Sequence, residues 1–332
     1  MKVNIFGCGM SGVVAAILLK EQGHDVEIFE IRPHIGGNCY DYKNMDGCTV
    51  HEYGSHIFHT NDEEVWSFLN RYTKFNDYQH RVRANTREGL ISIPYNKRTE
   101  EQLGRDLSPE EIQDLIFREY SERHWGIPWE QLPKSISGRV PNKRDNHDDR
   151  YFTDKHQGIP ENGYTAMFKN MLDGIKINLG VERGLHKRLQ ADLTVWTGKI
   201  SEYFDVAFGH LPYRSLRFEH NRVKKDPNYS WELGSVINEC NKKPYNRTMD
   251  NSVYLNEDVE YTIQTRDHPE EYVKGKNEPI YPKTFGEGPE IYERYRQAAD
   301  ADKNTIFLGR LATYRYLDMW MAVKQVMVKL NK

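Results

Sequence analysis

The first thirty residues hold a pattern that leaves the chain little freedom in how it folds. Lys2–Phe6 is a short apolar run that fits one buried strand. It ends in Gly7-Cys8-Gly9-Met10-Ser11-Gly12, and Val13, Val14, Ala16, Ile17 and Leu18 then give Ser11–Gln22 the pattern of an apolar helix. Gly23 is a helix stop, Val26–Phe29 reads as a second strand, and Glu30 comes eighteen residues after Gly12. Each residue type has a reason to be there. Gly7 permits a tight turn, Gly9 lets a pyrophosphate approach the backbone, and Gly12 lets helix and strand pack closely. Ser11 stands at the helix start, where free N–H groups and a partial positive charge favour phosphate. A carboxylate at position 30 can accept hydrogen bonds from a ribose diol. A glycine-rich turn alone often only joins two elements. The strand, helix, strand and acid around this one point to an adenine dinucleotide.

Arg32 and then Ile35-Gly36-Gly37-Asn38 follow the acid. Two adjacent glycines let backbone run against a cofactor where a Cβ would clash. The bland reading is an ordinary loop. The arrangement resembles the FAD-binding signature of glutathione-reductase-like flavoproteins and flavin amine oxidases, so the expected cofactor is FAD rather than NAD. The expected cofactor contacts here are Gly7, Gly9, Ser11, Gly12, Glu30, Arg32, Gly37 and Asn38.

Composition narrows the remaining classes. At 332 residues the chain can build two or three packed units. A net charge of −3 supplies no global basic field, so nucleic acid is not an expected partner. The longest apolar run, Val13–Leu19, is too short to span a bilayer, and Met1 leads straight into a strand with no basic and apolar leader. Cys8, Cys39, Cys48 and Cys240 show neither CxxC spacing nor a disulfide framework, and a reduced, cytoplasmic setting is the default.

The rest of the chain divides by pattern. Asp62–Tyr72 and Gly163–Leu172 read as helices, Gln79–Ala84 and Leu90–Ile93 as strands around a polar turn at Asn85–Gly89, and 99–125 as helical, with Ser108-Pro109-Glu110-Glu111 opening one segment. Residues 126–150 look irregular. Leu193–Trp196 and Thr305–Leu308 read as strands returning to the cofactor sheet, 215–285 alternates as an antiparallel sheet does, and Val323, Val326, Met327 and Leu330 share one face of a last helix. The expected fold is a Rossmann-like α/β FAD-binding domain with an inserted small helical domain and an α+β part built on an antiparallel β-sheet. The expected boundaries are 1–75, 185–212 and 300–332 for the cofactor domain, 95–150 for the helical domain, and 76–94, 151–184 and 213–299 for the substrate domain.

Several further segments occur in one order. They are His51-Glu52-Tyr53-Gly54-Ser55-His56-Ile57-Phe58-His59-Thr60, Ile93-Pro94, Trp125-Gly126, Arg139-Val140-Pro141, Asp148-Asp149-Arg150-Tyr151-Phe152, Gln157-Gly158-Ile159-Pro160, Pro244-Tyr245-Asn246-Arg247, Ile280-Tyr281-Pro282 and Gly309-Arg310-Leu311-Ala312-Thr313-Tyr314-Arg315-Tyr316-Leu317-Asp318-Met319. The series closely resembles the bacterial type of UDP-galactopyranose mutase over nearly the whole chain. The resemblance implies a flavoprotein isomerase of nucleotide-sugar metabolism, serving cell-wall or polysaccharide biosynthesis. Such an enzyme interconverts UDP-galactopyranose and UDP-galactofuranose with reduced FAD and no net redox change. Attack of flavin N5 on the anomeric carbon expels UDP, and the sugar ring opens and recloses.

The resemblance also implies residue roles. Arg139 and Arg247 match the two arginines that clamp the substrate pyrophosphate, where planar guanidinium forks suit an array of anionic oxygens. Arg139 falls in the irregular stretch, which matches a mobile lid around 126–150. Tyr120, Ser121, Trp125 and Tyr151 match positions lining the nucleotide site, and Tyr281 and Tyr316 match phosphate-contacting tyrosines. Asp318 either orients the sugar or caps the last helix. Arg214 matches an arginine near flavin and substrate, and Arg310 and His56 the flavin side of the site. His59 matches a residue that supports anionic reduced flavin or relays a proton. His51, His56 and His59 lack metal-site spacing, and no metal is expected. Two departures stand out. His80 replaces a usual Asn and would carry a pH-dependent charge, and residues 96–120 are shorter than usual in a region that carries dimer contacts, so a homodimer is possible and no more. Other flavin oxidoreductases, and a binding module without turnover, are the competing classes.

Overall fold

A computed structural model of the chain describes residues 1–137, 143–226 and 234–331. Strand β1 (Lys2–Phe6), helix α1 (Met10–Glu21) and strand β2 (Asp25–Glu30) form where the sequence places them. Val3 and Ile5 lose all solvent contact, and Met10–Leu19 of α1 are buried all round. A helix apolar on every side needs cover on every side. The parallel sheet gives it on one side. The helices Tyr164–Met171 and Met319–Leu330 give it elsewhere.

The parallel sheet runs in the order Thr305–Phe307, Leu193–Trp196, β1, β2, Lys176–Leu179. The two strands expected to return to it do so, on the far side of β1 from β2. The strand Lys176–Leu179, in a stretch expected to lie with the substrate domain, pairs instead with β2 through Glu27–Glu30. The buried face of the helix before it, with Met167, Phe168 and Met171, belongs to the same core as α1. That burial carries the segment to this side.

A second sheet of seven strands runs in the order Tyr281–Pro282, Tyr213–Lys224, Tyr261–Glu271, Arg247–Asp250, Val236–Glu239, Val82–Thr86, Gly89–Ile93. Neighbours are antiparallel except Val236–Glu239 and Val82–Thr86, which run parallel. The hairpin Val82–Ile93 is tighter than its sequence suggests. Asn85 and Thr86 stay in the strand, because Thr86 Oγ1 accepts from Glu88 N at 3.1 Å and donates to Gly89 O at 2.9 Å, closing the turn at Arg87-Glu88.

Residues 96–125 fold as short helical pieces rather than one rod. Asn96 and Ser108 each close a capping box, and Gly104 ends the first piece. Ile112, Leu115 and Ile116 pack on Val82, Ala84, Ile91 and Ile93 of the second sheet. The segment ends in the helix Arg118–Trp125. Helix Gly288–Ala301 lies where the sequence reading assigned nothing, and its fully buried Tyr295 packs with Ile200, Leu211, Tyr213 and Tyr314. Among the described residues no helix is long and apolar enough to cross a membrane.

Candidate active site

The turn after β1 opens onto a cleft of about 540 Å³ lined by Gly7, Gly9, Ser11, Glu30, Arg32, Gly37, Asn38 and Arg310, among others. The glycines are required by contact. A Cβ on Gly12 would sit 2.0 Å from the carbonyl oxygen of Gly7, and one on Gly37 would sit 2.8 Å from Gly9 Cα. Gly37 also has φ of 57°, in the left-handed region. The two glycine motifs therefore face each other across the mouth of α1. That helix begins at Gly9 with no side-chain cap and no acid in its first turn, so its free amides remain available to an anion. Glu30 is buried. Its Oε2 accepts from Cys8 N at 2.7 Å and its Oε1 from Arg32 N at 2.9 Å. Each oxygen keeps a lone pair for a further donor. Arg32 donates to Asn38 Oδ1 at 3.0 Å and lies over the Tyr53 ring. The bare helix start, the glycine faces and the held acid fit a flavin dinucleotide.

Arg310 joins this cleft to a second group of side chains. It follows Gly309 at the end of the strand Thr305–Phe307, donates to Leu317 O at 2.8 Å, and lies 5.4 Å from the Tyr281 ring and 5.0 Å from the Tyr316 ring. The two rings stack at 6.3 Å, and Tyr316 Oη donates to Asp318 Oδ1 at 2.7 Å. Asp318 stands at the N-cap position of the last helix but makes no capping bond, so its carboxylate serves Tyr316.

Arg247, on the strand Arg247–Asp250, sits within electrostatic reach of Tyr120, Tyr151, Tyr281, His56, His80 and His124. Its Nε donates to Asp267 Oδ2 at 2.5 Å, and Nη2 contacts the same oxygen. Nη1 has no partner among the described residues. Burial works against its charge and the Asp267 carboxylate more than restores it, so its pKa lies well above the usual value. Burial raises the Tyr120 and Tyr151 phenols against the pull of Arg247, which leaves both as neutral donors.

The pH-dependent charge expected for His80 is not found near neutrality. Burial pushes His51, His56, His80 and His124 each down to about 3, with the positive field of Arg247 adding to the effect at His56, His80 and His124. His80 is thus a neutral replacement for an amide, held at Nδ1 by Tyr78 Oη at 3.1 Å. His56 Nδ1 bonds Gly54 O at 2.8 Å. His59 shares the Phe152 ring with His80. It is fixed by Asp154 at 3.0 Å and stacked on Phe152 at 3.7 Å, with no bond to the residues of the cofactor cleft.

The other expected residues divide. Tyr120, Ser121 and Trp125 share the helix Arg118–Trp125, and Trp125 meets the Phe285 ring at 5.3 Å. Arg214 was expected beside flavin and substrate. Its guanidinium instead caps that helix, donating to His124 O at 2.7 Å, Arg123 O at 3.2 Å and Glu271 Oε1 at 2.5 Å. With its side chain only 5% exposed, it spends one donor from each of its three nitrogens on the helix end and on Glu271. Arg139, expected as the second clamp, lies outside the described residues, as does part of the expected lid. Sequence reasoning missed Asp267, His124, Asn246 and Arg123. Asn246 had a signal, being the residue before Arg247, whereas Asp267 is brought opposite Arg247 only by strand register. His124 lay one residue from Trp125.

Comparison with known proteins agrees with this geometry. The sequence pattern of UDP-galactopyranose mutase matches residues 115–316, and that of an NAD(P)-binding Rossmann-like domain matches 5–72. The chain belongs to the UDP-galactopyranose mutase family. It is 34% identical to a dTDP-fucopyranose mutase of Escherichia coli across 100% of this chain and 99% of that protein. It is 32% identical to a probable UDP-galactopyranose mutase of Klebsiella pneumoniae across 98% and 92%. A crystal structure of reduced UDP-galactopyranose mutase superposes with a TM-score of 0.78 at 15% identity, covering 99% of this chain and 93% of that one. A putrescine oxidase shares the fold at a TM-score of 0.55 and 13% identity.

Proposed function

We propose that this chain binds FAD in the glycine-lined cleft and, with the flavin reduced, isomerises a nucleotide-linked galactose between its pyranose and furanose forms. The observation that carries the reading is Arg247. A half-buried, permanently charged guanidinium with one free nitrogen, ringed by neutral tyrosines and histidines, joins the cofactor cleft through Arg310. Reduced flavin, when bound, supplies an electron-rich nitrogen nucleophile toward the anomeric carbon.

The protein's own side chains account for the rest. As the bond between the anomeric carbon and the diphosphate oxygen breaks, the electron pair leaves with the nucleotide. Nη1 of Arg247 faces the growing charge, and Asp267 holds the guanidinium plane so that no reorganisation is needed at that moment. Tyr281, stacked on Tyr316 beside Arg310, adds a hydroxyl donor, while the Tyr316 proton is held by Asp318. Tyr120 and Trp125 offer faces to a nucleobase and ribose. His80, being neutral, donates or accepts without adding charge near the sugar. Arg139 is assigned as the second diphosphate clamp on the family motif alone.

A second reading concerns the sugar nucleotide. The match to the E. coli dTDP-fucopyranose mutase spans the whole chain at the higher identity, so dTDP-fucopyranose is the competing substrate. The test is incubation of dithionite-reduced protein with UDP-galactofuranose and, separately, dTDP-fucopyranose, followed by product chromatography. Conversion of the first supports the proposal. Conversion of the second alone transfers the assignment to the dTDP sugar. Turnover of neither by flavin-loaded protein ends it.

A further inference from the structure

Asn246, immediately before the central arginine, is fully buried, and its side chain links two others. Arg123 Nε donates to Asn246 Oδ1 at 2.6 Å. A guanidinium has only donors, so the amide atom it meets is the oxygen and the amide orientation follows. Asn246 Nδ2 is therefore a donor, and it lies 3.2 Å from His124 Nδ1. That nitrogen must accept, and the ring proton resides on Nε2. Arg123 is itself anchored, donating to Asn241 O at 2.8 Å and to Glu239 O, so the chain of bonds starts from fixed backbone.

The His124 ring lies 5.0 Å from Tyr281 and faces Tyr120 at 6.2 Å with 6° between planes. Arg247 and Arg214 are both within electrostatic reach. Its Nε2 has no protein partner among the described residues, and the residue is partly exposed. Arg214 fixes the backbone beneath the ring by donating to the His124 carbonyl. The imidazole is thus set in one tautomer with its N–H free, among groups that attract anions.

We infer that His124 is a substrate-binding residue whose Nε2–H, fixed in that tautomer by the Arg123–Asn246 relay, donates to a diphosphate oxygen of the nucleotide sugar. The inference rests on the proposed function above and adds a recognition group to it. A neutral donor is useful there. It grips the diphosphate without adding to the full charges that Arg247 and Arg139 bring, which would hold the product nucleotide too tightly. Burial keeps the ring uncharged across working pH, since its pKa is pushed down to about 3.

The test titrates flavin-loaded protein with UDP and with dTDP by calorimetry, for wild type, His124→Gln and His124→Leu. Gln keeps a neutral donor and is expected within about threefold of wild type. Leu, which loses a hydrogen bond to a charged group, is expected to weaken diphosphate binding about tenfold or more. A Leu variant that binds as tightly as wild type overturns the inference. Wild type that binds neither nucleotide overturns the proposed function instead, so the two failures separate. Should the Leu variant not fold, histidine nitrogen resonances of the wild type decide. Protonation of Nδ1 in place of Nε2, or an Nε2 signal unmoved by UDP, refutes the assignment.

Discussion

Arg247 and Asp267 form a pair whose two members have different duties. Asp267 is 1% exposed and touches no ligand-facing space, while Arg247 turns one nitrogen outward. Arg247→Ala is expected to lower turnover by about a hundredfold to a thousandfold, the scale of removing one preorganised donor from developing charge. The yellow flavin should stay bound, which absorbance of the purified variant reports. Asp267→Asn leaves a buried guanidinium without its counter-charge and is expected to cost about 3 kcal/mol of stability, read by denaturant unfolding. Gly37→Ala acts at the other site. Its Cβ would press on Gly9 while the backbone holds a positive φ, so the variant is expected to fold yet purify without flavin. At this scale the sequence shows residue types and hides partners. Arg247 was legible from its motif, and Asp267 was not, because strand register alone brings it there.

Among the elements, the helix Arg118–Trp125 carries most of the expected nucleotide face, yet none of its residues is fully buried. A short helix with no buried face needs its ends fixed from outside. Arg214 does so, and Gly126 with φ of 70° lets the chain pass beneath that guanidinium, where a Cβ would sit 2.8 Å from Nη1. Arg214→Lys keeps the charge but not the fork that reaches two carbonyls and Glu271. It is expected to raise KM for the sugar nucleotide several-fold with flavin retention unchanged, measured by steady-state kinetics. A direct ligand contact would have been the simpler reading of this arginine from its motif. Only the sheet that places Arg214 under the helix end shows otherwise. The local βαβ unit was readable because its turn, helix and acid are all near in sequence. Helix Gly288–Ala301 was readable in principle, since Pro289 opens it and Ile291, Tyr292 and Tyr295 share its buried side, but alternation upstream masked the change of period.

For the whole molecule, the buried histidines tie stability to pH. His51 and His80 are 2% and 6% exposed, and their pKa values are pushed down to about 3 by burial. The unfolded chain binds their protons below about 6.5 and the folded chain does not. Their contribution is therefore fully present above that pH and is lost as pH falls toward 3. At pH 5 these two alone give a slope near 2.7 kcal/mol per pH unit. Unfolding midpoints measured between pH 7 and pH 4.5 should fall steeply, and His80→Asn should flatten the fall by about half of that slope. The burial that sets this behaviour was not legible in sequence. His80 was read there as pH-sensitive in function, because its burial depends on Phe152 and on Ser235, which holds the neighbouring Tyr78, both from distant segments.

The parallel sheet is completed by Leu193–Trp196 and Thr305–Phe307, and α1 is covered by Met319–Leu330. A ribosome emitting this chain releases the phosphate-binding turn first and its roof last. Loading of the flavin must therefore wait until residues 305–330 have emerged, and a nascent chain halted before residue 305 has a glycine loop but no shelter for the ring that should rest against it.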